Sequence, residues 1–167
     1  MTSEAKQDAI KLLTEDHRTV EALFERFEKA GDGEKEQIAK RICTELKVHA
    51  MLEEEIFYPA LRGKIEDDDL DEAMVEHDGA KLLINEIEAG SSEDQFYDAK
   101  VKVLQEQIEH HVKEEEKEQG NIFSQARKAD VNLEALGEQM ATRKAELMQL
   151  AETQGLPPAE TATMETA

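Results

Sequence analysis

Six side chains in this sequence could do metal chemistry. His17, His49, His77 and His111 are spread along the chain, and two are followed four residues later by glutamate, pairing His49 with Glu53 and His111 with Glu115. An i, i+4 spacing sets each pair side by side on a helix face. Imidazole offers a nitrogen lone pair and carboxylate an oxygen, and without thiolate that donor set suits iron, manganese or zinc better than copper(I) or an iron–sulfur cluster. All six fall where the local pattern calls for Leu or Ile, so once buried they need pairing, water or a cation.

The helices that carry them are read from apolar residues recurring at spacings of three and four. One stripe runs Ile10, Leu13, His17, Val20, Phe24, Phe27 and stops at Gly31-Asp32-Gly33. A second runs Ile38, Ile42, Leu46, His49, Glu53, Ile56, Ala60 and ends near Gly63, with Pro59 loosening its last turn. The third follows the Asp67-Asp68-Asp69 run, which suits a helix N-terminus, and reads Leu70, Met74, His77, Ile84, Ile87. The fourth, with Ser92 as N-cap, reads Val101, Leu104, Ile108, His111, Glu115 and is interrupted at Gly120-Asn121. An apolar patch at Ile122 and Phe123 precedes a fifth helix from about 132 to 153, expected to pack across the others. Residues 154–167 have little to bury and read as a disordered tail. The expected fold is all-α: an up-down-up-down four-helix bundle with an additional C-terminal helix, one domain over 1–153 with its metal-binding core at about 8–125.

Counting outward from each turn gives the height of every histidine in such a bundle. His17 and His49 differ by roughly 3 Å, His49 and His77 by a similar amount, and His77 and His111 by roughly 7 Å. One cluster at mid-depth is the expectation. An internal repeat supports it, because His17 to His77 is a separation of 60 and both His49 to His111 and Glu53 to Glu115 are separations of 62. Glu15-Asp16-His17 matches Val75-Glu76-His77, and the acidic run after His49 matches the one after His111. Two helical hairpins related by a pseudo-twofold axis would give two equivalent half-sites, hence two metal ions.

Bland readings compete with each of these signals. A lone His on an apolar face is more often a satisfied core residue than a ligand, and Glu is abundant enough here to follow a His by chance, as Glu21 follows His17. What tips the balance is one His per helix, repeated in pairs with Glu. His110 lies off the stripe and reads as exposed or as a support for its neighbours. The Glu114-Glu115-Glu116 run reads as a solvated face apart from Glu115, and Met51, Met74, Met140 and Met148 as core filling.

Composition narrows the class further. With 20 Lys+Arg against 40 Asp+Glu and a net charge of −20, phosphate backbones and anionic lipid are repelled, so neither nucleic acid nor a membrane is an expected partner. No secretory signal opens the chain, and no run of about 18 apolar residues occurs. The single cysteine, Cys43, reads as a buried hydrophobe in a reduced, cytoplasmic setting.

Over about residues 8–125 the chain resembles the hemerythrin-like HHE cation-binding family. That family's order, a lone His and then His-x-x-x-Glu, both occurring twice, is met by His17, His49 with Glu53, His77, and His111 with Glu115. The string Glu53-Glu54-Glu55-Ile56-Phe57-Tyr58-Pro59 also looks like the family's acidic stretch running into an aromatic and a proline, whereas Gln119-Gly120-Asn121-Ile122-Phe123-Ser124 lacks the proline and carries an insertion. Ferritin-like bundles use Glu-x-x-His, which none of the five histidines here shows. The resemblance implies a non-haem di-iron centre with an oxo or hydroxo bridge, meeting dioxygen, peroxide or nitric oxide, as in an oxidant-consuming enzyme of a stress response. The acidic exterior and the tail point instead to iron handling or sensing without turnover. Oxygen-carrying hemerythrins use five His, so the four aligned here point away from reversible oxygen carriage.

Overall fold

The computed structural model describes residues 7–164. Helix α1 (Ala9–Lys29) begins where the Asp8 carboxylate accepts the Lys11 amide at 2.8 Å. α2 (Asp32–Leu52) runs into a π-helical turn at Glu53–Phe57 and a short α3 (Tyr58–Leu61). α4 (Asp67–Ala89) carries the three aspartates in its first turn, where their charge complements the helix dipole. α5 spans Tyr97–Glu116, α6 Ile122–Lys128 and α7 Leu133–Thr153, the last two capped by Asn121 and Asn132. α1, α2, α4 and α5 close the expected four-helix ring, and α7 lies across α1 and α2.

The interior is layered. One apolar cluster, including Leu13, Leu52, Phe57, Leu70, Phe123 and Met140, fills the end near the α1 N-terminus. A second, including Phe24, Phe27, Ile42, Cys43, Ile84 and Leu104, fills the opposite end. The six singled-out polar residues are all buried. Cys43 is fully buried, and burial pushes its thiol up to about 12.

Four elements depart from the sequence expectation. The turn at Glu53–Phe57 widens because Pro59 has no amide to offer Glu55; the ladder instead shifts so that the Tyr58 amide donates to the Glu53 carbonyl. Ser92 is not a helix cap. Residues 91–96 form turns closed by Asp94, which accepts the Ser91 amide, and α5 starts at Tyr97. That non-helical stretch removes the expected 7 Å offset, since His77 now lies 12 residues before the end of α4 and His111 lies 14 after the start of α5. The Ile122–Phe123 patch is a helix of its own.

The fourth departure is the segment read as a disordered tail. Over residues 155–164 it lies as a strap across α2 and α4. Lys47 donates to the Pro157 carbonyl, Lys81 to the Glu160 carbonyl, and Asn85 bonds both backbone groups of Ala159. The Asp78 carboxylate accepts the amides of Ala162 and Thr163. Residues 165–167 lie outside the described residues.

Candidate metal centre

The four helices each deliver one imidazole to the same depth, and the two i+4 glutamates point inward with them. Glu53, His77, His111 and Glu115 form one group of converging ligand atoms, and His17, His49 and Glu115 form another, all within 4.8 Å of one another in each group. Glu115 belongs to both. Glu53 also lies between the halves, its Oε1 3.2 Å from His49 Nε2 and 3.1 Å from His77 Nε2.

A ring of carboxylates fixes the orientation of every imidazole. His49 Nδ1 lies 2.9 Å from Asp16, His111 Nδ1 3.0 Å from Glu76, His77 Nδ1 2.9 Å from Glu54 and His17 Nδ1 2.8 Å from Glu116. The arrangement obeys the internal repeat. Asp16 and Glu76 each precede the lone His of their helix and hold the His of the next helix, while Glu54 and Glu116 each follow the inward Glu and hold the lone His of the neighbour. An ionised carboxylate can only accept, so each Nδ1 carries its proton and each Nε2 presents its lone pair to the centre. Despite burial, which works the other way, the His49 contact holds Asp16 below the usual carboxylate range, and the His17 contact does the same for Glu116.

The centre is thus a knot of lone pairs facing one another. His77 Nε2 and His111 Nε2 are 3.1 Å apart, and His111 Nε2 also meets Glu115 Oε1. His17 Nε2, His49 Nε2, both Glu53 oxygens and Glu115 Oε2 are buried without a hydrogen-bond partner. Such a set repels itself unless positive charge enters. Protons can supply it: burial disfavours charged imidazole, yet Glu53 and Asp16 outweigh burial and raise His49 to about 10. His111 is pushed well above its ordinary value by Glu115, and Glu53 is held well below its own by the surrounding histidines. A cation supplies the charge better, because one ion satisfies several lone pairs at once, and the nitrogen and oxygen donors fit a borderline or hard divalent or trivalent metal.

Aromatic rings complete the cage unequally. Tyr58 stacks on His77 at 5.5 Å, and its hydroxyl donates to Glu115 at 3.3 Å, 3.4 Å from His111 Nε2. On the other half Phe123, from α6, stacks on His17 at 5.9 Å. The insertion before Phe123 therefore still brings a ring into place, but one without a hydroxyl. Burial and the two glutamates hold the Tyr58 phenol protonated.

All six residues expected to ligate are brought together, and His111 rather than His110 faces the centre. His110 is exposed and pairs with Glu76 and Glu114. Glu21 is taken by Arg18 at the surface. Glu116 is a correction to the reading of its run as solvated, since it bonds His17 and Arg18. Asp16, Glu54, Glu76 and Tyr58 were also missed, and the one signal that marked the acids was their adjacency to repeated ligand positions.

A family model described as the Hemerythrin HHE cation binding domain matches residues 8–120. The chain is 31% identical over 111 residues to a DNA nickase from Nostoc sp., a match spanning 66% of this chain and 31% of that protein. Its fold is similar to the crystal structure of a Hemerythrin HHE cation binding domain-containing protein from Mycobacterium kansasii, with a TM-score of 0.73 at 22% identity, covering 89% of this chain and 94% of that one.

Proposed function

Since the chain belongs to the hemerythrin HHE cation-binding family, we propose that its histidine and glutamate cluster holds two iron ions and binds or reacts with a small oxidant, dioxygen, peroxide or nitric oxide. The observation that carries this is the set of inward lone pairs, five of them buried without a partner, divided into two groups that share Glu115. In this reading His17, His49, His77 and His111, with Glu53 and Glu115, would hold the ions. Bound there, iron would supply one-electron redox chemistry and a vacant position for a small molecule.

The protein's own residues do the rest. Asp16, Glu54, Glu76 and Glu116 keep each imidazole in the tautomer that ligates. Tyr58 holds a proton at its hydroxyl beside the His77 and His111 half, where a reduced oxygen or nitrogen species could draw on it. Phe123 offers none to the other half. Among the described residues no helix is long and apolar enough to cross a membrane. We assign no DNA cleavage to the chain: its net charge of −20 opposes contact with phosphates, and it spans under a third of the nickase it matches.

Metal analysis by mass spectrometry on protein purified with iron should give about two ions per chain, falling sharply in His49→Ala. Well under one ion, unchanged by that substitution, removes the reading. Stopped-flow mixing of the loaded protein with peroxide or nitric oxide then separates turnover from binding, since flat traces at full loading would leave iron handling or sensing.

A further inference from the structure

Beside the metal centre lies a cavity of about 360 Å³ that the proposed small oxidants do not need. Its inner end is faced by His17, His49, His77 and His111, its walls are Val20, Leu46, Ala80, Ile84 and Ile108, and its outer end is Leu156 to Glu160 of the strap. A water-sized molecule occupies about 30 Å³, so two ions and a diatomic fill only a small share. The remainder is walled largely by aliphatic carbon, with Asp16, Lys47, Glu54, Glu55 and Lys81 also on its lining. Apolar cavities of about 150 Å³ already take up benzene, and pockets for organic ligands begin near 300 Å³.

The charged groups around this space are already engaged. Lys47 donates to Glu88 and to the Pro157 carbonyl, and Lys81 to Glu54 and to the Glu160 carbonyl. An ionic ligand would have to displace one of these pairs, whereas a neutral one need not. The same bonds, with those of Asn85 and Asp78, hold the strap over the outer end between α2 and α4. A segment with few apolar residues is thus ordered where it closes an apolar space.

We propose that this chamber is a binding site for a neutral, mostly apolar organic molecule, an aliphatic chain or a single ring, enclosed between the metal centre and the strap. The proposal deepens the metal reading above, on which it rests for the nature of the inner wall, by giving the centre an organic ligand as neighbour.

Isothermal calorimetry of the metal-loaded chain with a series of linear alkanols, from butanol to dodecanol, tests it. Affinity should rise about fourfold per added methylene, the value of burying that group, until the chain fills the chamber and then level off. Ile84→Trp, which occupies the chamber seven residues from His77, should abolish binding with metal content unchanged; if that variant does not fold, Ala80→Leu makes a smaller intrusion and should shorten the longest alkanol accepted. Affinity independent of chain length, or unchanged in a folded filled variant, overturns the proposal, as does absence of binding at full metal content. Chain-length-dependent binding in protein that takes up no metal would support the chamber and overturn the metal reading instead.

Discussion

An imidazole becomes a good ligand when something fixes which nitrogen carries the proton, and here each of the four histidines has its own carboxylate for that purpose. The i+4 glutamates cannot do this, because they share the inner side with the Nε2 atoms. Each outer acid comes from a different helix from the histidine it holds, so it also ties the helices together at the height of the centre. Glu76 gives the cleanest test, being only half-buried and ion-paired with histidines alone, whereas Asp16 and Glu54 also engage lysines and Glu116 an arginine. Glu76→Gln keeps an acceptor and its size but removes the charge that strengthens His111 as a donor to metal. Metal affinity should fall about 10- to 100-fold, with the helical fold intact, measured by competition with a chromophoric chelator. An unchanged affinity would reduce the outer ring to packing.

At the scale of elements, the depth of the site depends on how closely helices approach, and α7 presses hardest on α1. A β-carbon at Gly137 would lie 2.6 Å from the Gln7 carbonyl oxygen and 2.8 Å from the Ala9 nitrogen, both backbone atoms that cannot swing away. Gly137→Ala improves helix propensity by about 1 kcal/mol, but it must lift α7 from the start of α1. A net loss of about 1–3 kcal/mol is expected, read as a melting temperature several degrees lower by circular dichroism; a rise would show that the contact yields. The sequence disclosed the long helices and the inward-facing polar cluster because period and residue type coincide there: His17, His49, His77 and His111 stand in for Leu or Ile on otherwise regular stripes. It did not disclose the outer acids, because Glu54, Glu76 and Glu116 sit in acid-rich runs that look like any solvated face. The strap was hidden for another reason. Its order comes from the buried side chains of Lys47, Asp78 and Lys81 and the partly buried Asn85 gripping backbone groups more than 70 residues away, and no local periodicity records such bonds.

For the whole molecule, protons and metal ions compete for one set of lone pairs, which makes stability, pH and loading a single problem. In the metal-free chain the centre relieves its repulsion by taking up protons, and His49 is raised from 6.5 to about 10. A group whose folded pKa is raised stabilises the fold fully below its unfolded value and loses that contribution as pH climbs through the folded one. The metal-free protein should therefore lose stability from about pH 7 toward pH 10, as His49 gives up its proton amid Glu53 and Asp16. With metal in place the Nε2 lone pair is engaged and that loss does not arise. Loading releases protons, so apparent affinity rises with pH, and a metal at about a thousandfold its dissociation constant adds roughly 4 kcal/mol to stability. Melting curves with and without chelator across this range should show a gap that widens as pH rises. A gap that is absent, or that narrows with pH, would mean that the buried histidines and glutamates satisfy one another without a cation, and that the convergence of four helices on this point is structural.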